Sequence, residues 1–133
     1  MAEIIFKEEC YKIMGCCFEV FNQFGYGLRE KNYQKALEEV LYKQKIPFES
    51  QLYVPLKIDE KVIGKYYLDL LINDKIAVEL KVGDHFLKRD IDQLYSYLKS
   101  KDLRLGILIN FTSSGVKYKR ILNLLPEYKS HES

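Results

Sequence analysis

Hydrophobic positions along the chain follow helical spacing at the start and strand-like alternation in the middle. Through residues 3–24, apolar side chains recur every three or four positions, which predicts a first helix that ends at Gly25. The same spacing predicts a second helix over 28–45 and a third over 87–99. Residues 48–58 alternate between apolar and polar side chains, as in a half-buried strand. The chain is therefore expected to begin with two helices and a strand.

The remaining strands are predicted on either side of the third helix. Residues 65–82 contain two apolar strands joined by a tight turn. Residues 103–111 form an apolar run typical of a strand buried on both faces, and 116–121 favour a short final strand. Strand, helix and strand at this spacing imply a parallel crossover. The order α-α-β-β-β-α-β(-β) predicts an α/β fold, with a mixed four- to five-stranded sheet flanked by helices.

The hairpin at 65–82 is predicted to have one apolar face and one charged face. Alternation puts Glu79 and Lys81 on one face of the second strand. Asp69 shares that face only if it pairs directly with Glu79 or is offset from that pairing by two residues. We therefore predict either a three-residue turn at 73–75 or a bulge that resets the register. The apolar face is assigned to the core and comprises Tyr66, Leu68, Leu70, Ile72, Ile76, Val78, Leu80 and Val82.

The charged face suggests a chemical role. Unpaired charges are costly to bury inside a sheet, so these side chains are expected to be paired or to bind a metal. Carboxylates such as those of Asp69 and Glu79 are hard oxygen ligands suited to Mg²⁺. A bound metal acidifies water and stabilises charge on a phosphate oxygen, and a nearby lysine can orient that water or neutralise the developing charge. The alternative is a buried Glu79–Lys81 ion pair with Asp69 at a solvated strand end.

Length and composition predict one domain spanning 1–133, with an N-terminal helix within 1–24 and a loose tail at 126–133. The sequence is 47% hydrophobic, which is enough for a substantial core. It has no long apolar run and no start resembling a signal peptide, so we expect no membrane span and a cytoplasmic location. The three cysteines lie in the first helix and favour neither a zinc site nor a disulfide framework.

The net charge is only +2, but it is unevenly distributed. Residues 81–120 hold nine Lys or Arg against four Asp or Glu. This excess is compatible with phosphate binding, although an ordinary solvated surface or a protected sheet edge also explains it. The candidate nucleic-acid-binding residues are Lys88, Arg89, Lys117, Lys119 and Arg120.

Two features of the predicted helices leave alternatives open. The apolar stripe of the first helix fits either core packing or a dimer surface. Glu30, in the first turn of the second helix, either complements the helix dipole or reaches the charged face as a metal ligand. Tyr33, one turn later, either hydrogen-bonds a carboxylate or packs. The stripe consists of Cys10, Ile13, Met14, Cys17, Phe21 and Phe24.

Three motifs in order resemble a known group of nucleases. Asp69 followed after a turn by Glu79-Leu80-Lys81 resembles the PD-(D/E)XK signature, with Leu68 in place of the usual proline. The segment 27–33, Gly-Leu-Arg-Glu-Lys-Asn-Tyr, matches the motif of the GxxExxY family, which is assigned to that superfamily. The segment 105–111 resembles the terminal strand of that family. The resemblance covers residues 20–122.

The resemblance implies a Mg²⁺- or Mn²⁺-dependent nuclease that hydrolyses phosphodiester bonds in nucleic acid, with DNA as the expected substrate. The alternative is a catalytically inactive nucleic-acid- or protein-binding module on the same fold. Cleavage of both strands of a duplex would favour a homodimer. The implied metal ligands are Asp69, Glu79, the Leu80 carbonyl and Glu30.

The resemblance also implies roles for residues outside the metal site. Lys81 would position the attacking water and stabilise charge on the phosphate. Gln93 and Tyr97 resemble the QxxxY element of RecB-like nucleases, where they would orient the catalytic groups. Asp90 occupies the position where those nucleases usually carry histidine.

Overall fold

The computed structural model describes residues 5–124. The helices are α1 (Lys7–Phe24), α2 (Glu30–Lys43) and α3 (Lys88–Lys101). The strands are β1 (Phe48–Ile58), β2 (Lys61–Ile72), β3 (Ile76–Val82), β4 (Leu105–Thr112) and β5 (Gly115–Leu122). The predicted order of elements is confirmed. The predicted loose tail at 126–133 lies outside the described residues.

The five strands form one mixed sheet in the order β1-β2-β3-β4-β5. Pairing is parallel between β3 and β4, on either side of α3, and antiparallel elsewhere. The predicted crossover is therefore present. β1 is an edge strand, which explains why it accommodates Pro55. All eight residues of β4 are buried, as expected for a strand covered on both faces.

Helices cover the two faces of the sheet. α1 and α2 pack on one face, and α3 packs on the other around Leu94 and Leu98. Most of the stripe on α1 belongs to the core, because Cys10, Ile13, Met14 and Cys17 are buried there, whereas Phe24 at the end of the helix is 53% exposed. Within the described range, no helix is both long and apolar enough to cross a membrane.

The turn between β2 and β3 contains three residues, as predicted. Leu70 pairs with Val78 and Ile72 pairs with Ile76, which leaves 73–75 as the connection. Asn73 and Asp74 both adopt left-handed backbone conformations, with φ of 55° and 57°. Asn and Asp tolerate this region better than other non-glycine residues. The turn therefore sets the register that brings Asp69 opposite Glu79.

The prediction that one apolar face runs along the whole of β2 is wrong for Tyr66 and Leu68, which precede Asp69. Leu70 packs with α1 and α2, but Leu68 and Tyr66 pack with the cluster beneath α3. Regular pairing with β3 stops at Leu70, and Asp69 has no ladder partner on β1. The regular ladder is interrupted at Asp69, so strict alternation does not continue through it.

Close packing of α3 on β4 depends on a glycine. A Cβ atom added at Gly106 would lie 2.9 Å from Cγ of Leu94 on α3. That separation is shorter than carbon atoms tolerate, so α3 would have to move outward. α3 carries Asp90 and Tyr97, and Gly106 therefore sets how closely these residues approach the charged strands.

We expect Gly106→Ala to lower the free energy of unfolding by about 1–3 kcal/mol, because the added methyl group overpacks the contact with Leu94. Urea unfolding measures the change. The control is Gly15→Ala, within α1, where an added Cβ meets nothing within 4 Å. That variant is expected to be more stable by up to about 1 kcal/mol. Equal effects in both variants would contradict the packing role of Gly106.

Candidate active site

Asp69 and Glu79 face each other across β2 and β3, and both side chains are buried. The Asp69 backbone N–H donates to Glu79 Oε1 at 3.0 Å, and the Leu80 N–H donates to Asp69 Oδ2 at 2.8 Å. Each carboxylate thus accepts a hydrogen bond from the backbone of the neighbouring strand, in the role that a ladder carbonyl ordinarily fills. The two carboxylates therefore lie close to each other between β2 and β3.

The pair carries more negative charge than its surroundings balance. Burial, followed by the charge of Asp69, raises the pKa of Glu79 to about 8. Burial also raises the pKa of Asp69, against the opposing hydrogen bonds from Leu80 and Gln51. Near neutral pH and without a cation, the pair is therefore expected to retain a proton.

Lys81 provides a positive charge beside the carboxylates and opposes the rise in both of their pKa values. Its Nζ atom lies 3.8 Å from Asp90 Oδ1, and 30% of its side chain is exposed. Asp90 stands three residues before Gln93, at the position where the resemblance to the QxxxY element predicts a histidine. Its contact with the lysine was not predicted, because sequence alone gave no distance between α3 and β3.

Glu30 is the first residue of α2 and borders this site. Burial raises its pKa, the charge of Lys81 lowers it, and the charges of Asp69 and Asp90 raise it. Among residues 5–124, no three His, Cys, Asp or Glu side chains cluster closely enough to hold a metal ion. Two carboxylates still fit a hard cation such as Mg²⁺, which commonly takes one or two carboxylates and completes its shell with water and phosphate.

Tyr33 organises the loop before α2 and does not hydrogen-bond a carboxylate. Its hydroxyl donates to the Gly25 carbonyl at 2.6 Å and accepts from the Gly27 N–H at 3.1 Å. Its ring is stacked on Phe111, with centroids 4.1 Å apart. The spacing of Gly27, Glu30 and Tyr33 thus has a structural basis, because the buried tyrosine fixes the loop from which Glu30 begins the helix.

The two residues predicted to orient the catalytic groups have different environments. Tyr97 lies on the buried face of α3, and burial raises the pKa of its hydroxyl. Gln93 is exposed, and its backbone carbonyl accepts a long hydrogen bond of 3.5 Å from the Tyr66 hydroxyl. Burial, and then the charge of Glu79, raises the pKa of Tyr66. Tyr66 thus lies near the site, although alternation along the strand had placed it on the opposite face.

Two glutamines at the site were not predicted. Gln34 on α2 donates to the Asp69 carbonyl, and Gln51 on β1 donates to the Asp69 carboxylate. Amide side chains are common on polar surfaces, and nothing in the spacing of Gln51 distinguishes it. Glutamine at position 34 follows Glu30 by four residues, on the same helix face, and this was the available signal.

The basic residues divide between the two faces of the sheet. Lys117 pairs with Asn110, which pairs with Lys81, so these three lie in one row across neighbouring strands. Lys119 is two residues from Lys117 and shares its face. Arg120 points to the other face, where its guanidinium donates to the Ile5 carbonyl. Arg120 is therefore not brought together with the two lysines.

The basic pair at the start of α3 lies at the surface. Lys88 is largely exposed and forms an ion pair with Asp92 at 2.6 Å. Arg89 is also exposed. Exposed ion pairs of this kind contribute little to stability, so both side chains can turn towards a ligand at small cost.

Comparisons with known proteins agree with this geometry. A family model described as the PD-(D/E)XK nuclease superfamily matches residues 7–121. The crystal structure of SSO0001 is similar, with a TM-score of 0.57 and 24% sequence identity. The match covers 75% of this chain and 53% of that chain, so this chain spans about half the length of that protein. No curated protein sequence matches the chain.

The protonation of Glu79 gives a testable dependence of stability on pH. Its pKa rises from 4.5 to about 8 on folding, so the metal-free folded protein holds a proton that the unfolded chain has released between these values. The free energy of unfolding should therefore fall as the pH rises across this range, by at most about 1.4 kcal/mol per pH unit for this group.

The experiment is urea unfolding in a chelator at about pH 5.5, 6.5 and 7.5, for the wild type and Glu79→Gln. Because glutamine does not titrate, the variant should show a flatter pH dependence and a gain in relative stability at the highest pH. Parallel curves for the two proteins would contradict a proton held by Glu79.

Proposed function

Because the chain belongs to the PD-(D/E)XK nuclease superfamily and gathers Asp69, Glu79 and Lys81 beside one another, we propose that it is a metal-dependent nuclease. Its substrate would be nucleic acid, with DNA tested first. The observation that carries the proposal is the buried pair of carboxylates, each of which accepts a hydrogen bond from the backbone of the other's strand. Burial raises the pKa of both groups, and a divalent cation would stabilise their ionised forms.

Asp69 and Glu79 would hold Mg²⁺ or Mn²⁺ through their carboxylate oxygens. The Leu80 backbone carbonyl would be a third ligand. Glu30 would bind through water, because within the described residues 5–124 no three acidic side chains cluster closely enough to bind one ion directly. When bound, such an ion supplies Lewis-acid polarisation of the phosphate and lowers the pKa of a water molecule. This donor set is composed of oxygen atoms, which suits these ions better than softer metals.

The remaining residues would position the substrate and the water. Lys81 is partly exposed, so its ammonium can orient the attacking water and stabilise charge on the phosphate. Gln93 and Tyr97 would orient these groups. Lys88, Arg89, Lys117 and Lys119 would bind the nucleic-acid backbone, whereas Arg120 is left out because it faces away. We further propose membership of the GxxExxY family on the motif at 27–33.

Cleavage of labelled single- and double-stranded DNA with Mg²⁺ or Mn²⁺ tests the proposed activity. Lys81→Ala is expected to lower the cleavage rate by at least about 100-fold, because it removes charge stabilisation at the reacting phosphate. Lys101→Ala, at the exposed end of α3, is the matched control and should cleave like the wild type. Full cleavage by Lys81→Ala would contradict the role of Lys81.

Metal binding is tested separately from cleavage by thermal unfolding. Mn²⁺ at about 100 times its dissociation constant should stabilise the wild type by about 2.7 kcal/mol. Asp69→Asn should lose most of this stabilisation, since it removes one of the two ligating carboxylates. Stabilisation without cleavage of any nucleic acid would instead support the inactive binding module. Equal stabilisation of both proteins would place the metal elsewhere.

A further inference from the structure

Gln34 connects helix α2 to the site through a buried amide. It is 7% exposed and lies four residues after Glu30. Its Nε2 donates to the Asp69 carbonyl at 2.9 Å and to Glu38 Oε2 at 3.0 Å. The Asp69 carbonyl has no ladder partner on β1, so the helix supplies a hydrogen bond in place of the neighbouring strand. Gln34 therefore joins α2 to β2 beside the carboxylate pair.

Gln51 on β1 contacts both Gln34 and the same aspartate. Its Nε2 donates to Gln34 Oε1 at 2.9 Å and to Asp69 Oδ1 at 3.3 Å. The Gln51 backbone has a φ of 51°, a left-handed conformation that is rare for a non-glycine residue within a strand. Strained backbone of this kind persists where surrounding contacts determine it, and it occurs often at functional sites.

The orientations of both amides are determined by chemistry. The acceptors of Gln34 are a carbonyl and a carboxylate, neither of which can donate, so its nitrogen must face them. Its oxygen then faces Gln51, which must present its own nitrogen to that oxygen and to the Asp69 carboxylate. Turning either amide over would lose hydrogen bonds. The network therefore has one arrangement.

We propose that Gln34 and Gln51 are positioning residues that hold Asp69 in register with Glu79 and Glu30 for metal binding. This inference rests on the proposed nuclease function. Asp69 is held at its carbonyl by Gln34, at Oδ1 by Gln51, at Oδ2 by Leu80, and at its N–H by Glu79. Because Gln34 and Glu30 share one face of α2, the same contact fixes the distance of Glu30 from the pair.

The two glutamines permit an experiment that separates positioning from stability. Gln51→Gly removes both side-chain hydrogen bonds, but glycine adopts a φ of 51° without strain, so thermal stability should change little. Gln34→Leu removes the bonds to Asp69 and Glu38 and the acceptor of the bond from Gln51. Leu41→Ala is the control, because Leu41 is buried on the same helix and its apolar side chain makes no hydrogen bond to the site.

Mn²⁺ affinity is measured by calorimetric titration of these variants. Gln51→Gly and Gln34→Leu should each bind Mn²⁺ at least about tenfold more weakly than the wild type. Leu41→Ala should retain wild-type affinity despite its lower stability. The inference is overturned if Gln51→Gly binds Mn²⁺ within about twofold of the wild type, or if Leu41→Ala weakens binding as much as Gln34→Leu.

A second readout needs no metal. The Leu80 amide proton donates to Asp69 Oδ2, and its resonance reports that hydrogen bond in the metal-free protein. Both glutamine variants should move this resonance upfield, and Leu41→Ala should leave it in place. If the wild type binds no Mn²⁺, the proposed function fails, while a shifted Leu80 resonance still supports positioning of Asp69. An unchanged resonance in both variants overturns the positioning role.

Discussion

The hydrogen bonds that Asp69 and Glu79 exchange between β2 and β3 are the constraint on which the site depends. Each carboxylate satisfies a backbone N–H that would otherwise be buried without a partner. The same arrangement brings two like charges together in a poorly solvated position, and burial raises the pKa of both groups. The fold thereby holds two oxygen ligands in place at the cost of electrostatic repulsion, which a cation would remove.

The rest of the fold maintains this arrangement from both sides of the sheet. Tyr33 stacks on Phe111 and fixes the loop from which α2 begins. On the opposite face, the missing side chain at Gly106 allows α3 to approach closely enough for Asp90 to contact Lys81. The carboxylate pair therefore lies in a sheet that helices cover on both faces, and the positions of these helices depend on specific packing contacts as well as on hydrophobic burial.

Periodicity was sufficient to predict the elements, and the three-residue turn of the central hairpin was one of two alternatives that would put Asp69 and Glu79 on the same face. Periodicity succeeded because the central strands β3 and β4 are largely buried and because the turn at 73–75 determines which residues face each other. It failed for Leu68 and Tyr66, because the ladder is interrupted where the side chains of Gln51 and Glu79 bond Asp69. Interactions between side chains and backbone leave no repeating pattern in the sequence.

The contact partners of the site residues could not be predicted from the sequence either, for a related physical reason. Gln34, Gln51 and Asp90 act through contacts between elements that are distant in sequence, and their positions depend on how closely the helices pack. Arg120 was grouped with Lys117 and Lys119 by charge, although strand alternation alone separates it from them. Periodicity gives the face of a residue reliably only where the ladder is regular.

The most direct test of metal binding between Asp69 and Glu79 is a crystal structure of the protein soaked in Mn²⁺, measured at a wavelength where manganese scatters anomalously. We expect an anomalous peak within coordinating distance of one carboxylate oxygen of Asp69 and one of Glu79. A fully soaked crystal with no peak between these two side chains, or with its peak elsewhere, would contradict metal binding between them.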